Sequence, residues 1–359
     1  MSARIAFTGP AHYRIRSASQ LIASAIEVSA RRALRGRRYP QWNWTVEAGC
    51  DALGKLLNTA FELNVEDARS YLDSITIHSP FMNGVTLNRA DETMFSGTWF
   101  TTNDVEDPIT LLYFHGGGYS FYPKSYEYFI SLITLAAKSK TFALDYRLAP
   151  EHLFPAQLED ALNAYGWLLK NGTDPDRLVV AGDSAGGHLA ITLLLSIRDA
   201  GLAAPALAIA LSPATDFGLD QIQPSSADWI SEPMLGQWRD WFCKPEQRRK
   251  PLVSPVHANL GGLAEIYIQA GTAEILFPSI KTFVDHARNH GTEAVLESWK
   301  GMPHVFQLFG FDSPQSADAL RRISEVIETR VRGTKFAAPS SPMQTDEKGS
   351  NSPLAGRED

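Results

Sequence analysis

Ser184 stands in Gly182-Asp183-Ser184-Ala185-Gly186-Gly187, directly after the apolar run Arg177-Leu-Val-Val-Ala181. The spacing is G-x-S-x-G. A strand that turns at once into a helix through a serine crowds the positions two before and two after it, and glycine there removes the clash. The hydroxyl is then lifted clear of the sheet, at the start of a helix whose amides face developing negative charge. A serine nucleophile needs that placement. A second glycine run lies upstream. Residues 109–114 (Ile-Thr-Leu-Leu-Tyr-Phe) read as a buried strand, and His115-Gly116-Gly117-Gly118-Tyr119 follows. Three successive glycines cost backbone entropy, and they make sense where N–H groups must approach a ligand with no side chain in the way. In acyl transfer that ligand is the tetrahedral oxyanion. A phosphate loop is excluded, because the run lacks G-x-x-x-x-G-K-[ST] and its lysine. A glycine-rich turn without chemistry is the plain alternative.

A serine nucleophile requires a base, and the base an orienting acid. Of the nine histidines, His304 lies in Gly301-Met302-Pro303-His304-Val305-Phe306, just past the strand-like Ala294-Val-Leu-Glu-Ser-Trp299. A loop beyond a late strand suits the base. Glu274 follows Glu265-Ile-Tyr-Ile-Gln-Ala-Gly271, so it too sits at the C-terminal end of a strand, the edge where open α/β sheets bind ligands. Asp216, in Ser212-Pro-Ala-Thr-Asp216-Phe217, also follows a strand and is the rival acid; Glu274 is preferred. His115 is expected to orient the glycine loop, with Gly116 and Asp183 supporting the same constellation. His188, one turn after Ser184, is expected to bond locally. His286 and His290 are i,i+4 on a helix, but no H-E-x-x-H accompanies them, so they read as an exposed face and no metal is expected. Cys50 and Cys243 read as small buried apolar groups.

These residues need a scaffold that delivers them to one edge. Strands are expected at 109–114, 140–146, 177–182, 206–211, 265–270 and 294–299. Helices are expected at 125–138, 155–170, 185–200, 279–290 and 314–332. The alternation implies βαβ units and a mainly parallel sheet flanked by helices, an α/β fold. Leu178-Val-Val and Ala206-Leu-Ala-Ile-Ala-Leu211 are continuously apolar, as strands buried on both faces should be. Residues 1–75 read as mostly helical with little strand character, including a helix over about 17–35. The segments His78 to Thr86 and Phe95 to Thr101 suit an antiparallel edge. Residues 217–250 break the rhythm with Trp229, Met234, Trp238, Trp241 and Phe242. The division expected is 1–75 and 217–250 as two helical cap segments, 76–216 and 251–333 as core, and 334–359 as a disordered tail. Tyr119, Trp229 and Trp238 are expected to line the substrate pocket.

Composition sets outer bounds. The chain has 359 residues, 44% hydrophobic and 20% charged, within the range of a globular protein. A net charge of −7 argues against nucleic acid as the partner. Two cysteines demand no oxidising compartment. No apolar run is long enough to span a membrane, and the first residues lack a secretory layout, so a cytoplasmic protein without stable membrane insertion is expected. The first forty residues carry arginines 4, 14, 16, 31, 32, 35, 37 and 38 against one acid, Glu27. An organelle-targeting segment or a basic helix on a membrane surface are alternatives to a packed cap helix, which is preferred. A homodimer is compatible with all of this.

The chain resembles the hormone-sensitive-lipase-like esterases, the bacterial family IV group with fungal and plant relatives, over about 109–310. The resemblance is carried by His115-Gly-Gly-Gly118, by Asp145-Tyr-Arg-Leu-Ala-Pro-Glu-His152 with Phe154-Pro155-Ala156, by Gly182-Asp-Ser-Ala-Gly-Gly187 and by Gly301-Met-Pro-His304, in that order. It implies an α/β-hydrolase fold with a helical cap, and hydrolysis of a small or medium carboxylic ester without a cofactor. It also implies that Gly117, Gly118 and Ala185 supply the oxyanion amides. Two features depart from the pattern. Glutamate replaces the usual aspartate at position 274, and Pro278 stands where a second acid is common. The segment Pro40-Gln-Trp-Asn-Trp44 resembles fungal esterases of secondary metabolism, which implies a bulky ester. An acyltransferase with the same triad is the rival. A non-catalytic receptor would lack the histidine, and an arylformamidase would carry a modified H-G-G motif.

Overall fold

A computed structural model describes residues 3–106 and 108–333. The tail over 334–359, with its expected disorder, lies outside the described residues. The chain opens on strand β1 (Arg4–Phe7) and a long helix α1 (Ala11–Arg35), followed by α2 (Trp44–Phe61) and α3 (Val65–Leu72). Asn43 and Asn64 start the second and third helices, each side chain accepting an amide of the first turn at 3.0 Å. Strands β2 (Ile75–His78), β3 (Val85–Asp91), β4 (Ser96–Thr102) and β5 (Ile109–Phe114) follow. Strands and helices then alternate: α4 (Tyr126–Ala137), β6 (Ser139–Leu144), α5 (Ala156–Lys170), β7 (Leu178–Asp183), α6 (Ala185–Asp199) and β8 (Leu207–Leu211). After an excursion carrying α7 (Glu232–Phe242) come β9 (Ile266–Gly271), α8 (Phe277–Asn289), β10 (Ala294–Trp299) and α9 (Pro314–Arg330).

Eight strands form one sheet in the order β10-β9-β8-β7-β5-β6-β4-β3. From β10 to β6 every pairing is parallel, and at the far edge β4 pairs antiparallel with both β6 and β3. β7, β8 and β9 are buried along their whole length, which explains their continuous apolar sequences. The chain leaves β5 for β6 on one side and returns to place β7 on the other. The order reverses there, and the crevice beyond the C-terminal ends of β5 and β7 is the topological switch point. His115–Gly118 and Ser184 follow those two strands directly.

Three details at the N-terminal side depart from expectation. The segment before α1 is not free of strand: β1 pairs antiparallel with β2, Arg4 opposite His78. The pairing partner lies seventy residues away, so no local period announces it. The strand expected over His78–Thr86 is instead divided. β2 ends at His78, a 3-10 turn spans Pro80–Gly84, and β3 begins at Val85. Pro80 has no amide to donate to a ladder, so pairing cannot continue through it. The first helix also begins at Ala11, earlier than the apolar pattern suggested.

Candidate active site

Ser184 sits between β7 and α6 with φ 53° and ψ −116°, a strained region for a residue with a side chain. Its neighbours must be glycine. A Cβ on Gly186 would lie 1.9 Å from the Phe114 carbonyl oxygen, and one on Gly182 would lie 2.4 Å from the Gly186 backbone. The Ser184 amide donates to the Leu211 carbonyl at 2.8 Å, and its carbonyl accepts from the His188 and Ala214 amides. The turn is thus bound to β8 and to its own helix. Ser184 keeps partial exposure while the residues around it are buried.

His304 reaches it from the loop after β10. The Ser184 hydroxyl lies 2.9 Å from His304 Nε2, and His304 Nδ1 lies 2.9 Å from Glu274 Oε2. With Nδ1–H donating to the carboxylate, Nε2 presents a lone pair to the hydroxyl. Both partners are buried. Burial drives the His304 imidazole below its ordinary value, against the pull of the Asp228 and Asp183 carboxylates. Burial pushes the Glu274 carboxyl up, opposed by the neighbouring Ser212 hydroxyl. Asp216, the rival acid, bonds instead to the amides of Gly218 and Asp220 at 2.8 and 3.1 Å and closes its own turn.

The glycine run lies alongside. Gly117 and Gly118 take φ 91° and 62°, and a Cβ on Gly118 would fall 2.3 Å from the Trp238 ring. Among the described residues the amides of Gly117 and Gly118 meet no acceptor. Asp183 holds the base of the loop. Its Oδ1 accepts from Tyr113 and from the Gly116 amide at 2.7 and 3.0 Å, and its Oδ2 accepts from Tyr126 at 2.9 Å. Burial still pushes the Asp183 carboxyl up to about 6. His115 is stacked between Tyr122 and Tyr146, with ring centroids 3.7 and 4.1 Å away. Its Nδ1 donates to the Gly116 carbonyl at 2.8 Å, and burial lowers it to about 3, so the ring is a neutral brace.

The three aromatic positions expected to line a pocket differ in placement. Trp238 lies against Gly118 in a cluster with Phe61 and Phe121. Trp229 donates its indole N–H to the His304 carbonyl at 2.7 Å. Tyr119 is fully buried behind the loop, stacked on Phe242 at 4.1 Å with its hydroxyl 2.5 Å from His188 Nδ1. It is a core residue. The segment Pro40–Trp44 is likewise structural: Trp42 Nε1 donates to the Gly301 carbonyl at 2.8 Å and Gln41 to that of Lys300 at 3.0 Å, so it braces the histidine loop. Cys50 and Cys243 are buried free thiols. His286 bonds to the Ala258 carbonyl, and His290 is exposed.

One carboxylate escaped sequence reasoning. Asp228 Oδ1 accepts from the His304 amide at 3.1 Å and the Trp229 amide at 2.9 Å, while Oδ2 accepts from the Ile275 amide at 2.8 Å. It therefore ties the loop of Glu274 to the loop of His304. Burial pushes its carboxyl up to about 6. An acid between Ala227 and Trp229 was the only available signal, and it names no partner.

The chain matches the α/β-hydrolase-fold family over residues 111–308. It is 34% identical over 229 residues to an acetyl-hydrolase of Streptomyces hygroscopicus, covering 62% of this chain and 77% of that protein. It is 28% identical over 234 residues to an ethyl acetate hydrolase of Pseudomonas putida, covering 62% and 73%. Among solved structures, a hormone-sensitive lipase from a metagenome library superposes with a TM-score of 0.69 at 32% identity, over 78% of this chain and 98% of that one. Similarity that spans the glycine loop, the serine turn and the histidine loop in one fold means that this chain belongs to the α/β-hydrolase-fold family, among its hormone-sensitive-lipase-like esterases.

Proposed function

We propose that this esterase cleaves carboxylic esters in two steps through an acyl-enzyme on Ser184. His304 takes the hydroxyl proton as Oγ attacks the ester carbonyl, then delivers it to the leaving alcohol. Glu274 holds the Nδ1–H tautomer and stabilises the imidazolium. The amides of Gly117, Gly118 and Ala185 receive the oxyanion, each worth about 3 kcal/mol in the transition state. Water, activated by the same imidazole, then releases the acid. The observation that supports this most is the pair of 2.9 Å contacts linking Ser184, His304 and Glu274 beside two amides with positive-φ glycines. We read α1 to α3 and the α7 excursion as the cap over this edge. The acyl group is short: the Trp238 ring packs against Gly118 beside the proposed oxyanion position, and two relatives are named acetyl-hydrolase and ethyl acetate hydrolase.

A fluorophosphonate probe and a series of p-nitrophenyl esters test the reading. The native chain is expected to be labelled and to turn over acetyl faster than octanoyl esters. Ser184→Ala should abolish labelling and lower kcat by more than about 10⁴-fold. Labelling that persists at another residue would overturn the assignment.

A further inference from the structure

Helix α3 reaches the glycine loop through one side chain. Arg69 Nε–H donates to the Ser120 carbonyl at 2.9 Å, and Nη2 donates to the Ala149 carbonyl at 2.9 Å and to Glu151 at 2.8 Å. Nη1 donates to the same carboxylate at 2.8 Å. This engages four of the five N–H donors of a planar fork, which no lysine could imitate. Ser120 and Ala149 are fully buried, while Glu151 is exposed. An ion pair so open to water adds little to stability. Its partners are what matter: two buried carbonyls on two separate turns, themselves joined where the Ala149 amide donates to the Tyr119 carbonyl at 2.8 Å. Asp73, just past the same helix, accepts the Lys124 amide at 3.0 Å and holds the far end of the segment.

The quantity fixed is the direction of an amide. The Gly117 carbonyl accepts from the Ser120 and Phe121 amides at 3.0 Å each. That carbonyl and the Gly118 N–H share one planar trans peptide, so they point opposite ways. A turn that holds the carbonyl inward therefore aims the Gly118 N–H outward, where it meets no acceptor among the described residues. The Ser120 hydroxyl also donates to the Gly118 carbonyl at 3.3 Å. Gly117 and Gly118 have no side chains to hold the turn themselves. Ser120 holds it, and Arg69 holds Ser120.

We propose that Arg69 is a positioning residue: it locks the turn after the glycine run so that the Gly118 amide faces the developing oxyanion, and Glu151 keeps the guanidinium in that pose. The proposal rests on the ester-cleaving reading of the site. It makes α3 a direct support of the oxyanion cup.

The test compares the native chain with Arg69→Ala and Glu151→Gln, using p-nitrophenyl acetate and two ketones. A trifluoromethyl ketone accepts Ser184 Oγ at its carbonyl carbon, the proton passing to His304, and leaves an oxyanion in the cup; the methyl ketone parent binds without that addition. Arg69→Ala should lower kcat about thirtyfold with KM unchanged, and weaken the trifluoromethyl ketone by the same factor while leaving the methyl ketone alone. Added guanidinium ion should restore kcat several-fold. Glu151→Gln keeps the carbonyl contacts and should lower kcat about threefold at constant KM, which reads the clamp even where the alanine variant fails to fold. The proposal falls if Arg69→Ala keeps native kcat, or if its loss lies in KM or in both ketones equally, the mark of a general loosening. It also falls if the alanine variant does not fold and Glu151→Gln behaves as native. A native chain without esterase activity would sink the ester reading itself, whereas an active one with an unimpaired alanine variant sinks the clamp alone.

Discussion

Asp228 shows how much of the candidate site lies outside the proposed reacting groups. Two of the amides from which it accepts belong to Ile275, the neighbour of the proposed acid, and to His304, the proposed base itself. Asp228→Asn would turn Oδ2 into a donor facing the Ile275 amide, and two opposed donors in a buried place cost about 1–3 kcal/mol. We predict a kcat lower by roughly tenfold with little change in KM, the pattern of a positioning residue. The pH profile adds a second reading. Because burial depresses His304, the neutral base persists below its ordinary pKa, and the acidic limb of kcat/KM should lie below pH 6.5. The Asp228 carboxylate raises the imidazole, so the asparagine variant should move that limb lower still. An unshifted limb with a normal kcat would remove Asp228 from the site.

At the scale of elements, the serine turn depends on how closely β5, β7 and α6 approach. Phe114 pairs with Gly182 across the sheet, and the same Phe114 carbonyl blocks any side chain on Gly186. Gly186→Ala must push the helix off the strand or distort the turn. It should cost more than about 2 kcal/mol in urea unfolding and disable Ser184 even where the protein folds. A stable, fully active alanine variant would mean that the turn relaxes far more easily than its contacts imply. The histidine loop rests on a different support. Trp42 and Gln41 bond to its carbonyls from the segment between α1 and α2, so that N-terminal segment braces the loop of His304.

For the whole molecule, buried histidines couple stability to acid. His188 donates Nε2–H to the Val253 carbonyl at 2.9 Å, accepts from Tyr119 at Nδ1, and burial lowers it to about 3. In the unfolded chain the ring takes a proton near its ordinary 6.5. Between those values the unfolded state binds a proton that the native state refuses, so stability is lost as pH falls from about 6.5 to 3. His188→Gln removes that linkage. The slope of unfolding free energy against pH in this window should flatten by about 1.4 kcal/mol per pH unit, whatever the variant loses at neutral pH. An unchanged slope would show that His188 is already protonated in the native state.

The alternation of strands and helices, the serine turn, the glycine run and the histidine loop were all legible in the chain, because each is written in neighbouring residues whose backbone demands or apolar period are local. Ser184, Glu274 and His304 could be named from their places after strands, and the family from the motifs between them. Which acid stands beside His304 was a matter of distance in space: Asp216 and Glu274 both follow strands, and only the packed sheet brings one to 2.9 Å and leaves the other closing its own turn. The pairing of β1 with β2, the burial of Tyr119 and the bracing by Asp228 and Trp42 were equally beyond reach of sequence. Each joins residues far apart in the chain, and such contacts are selected by the total packing of the core rather than by any local preference.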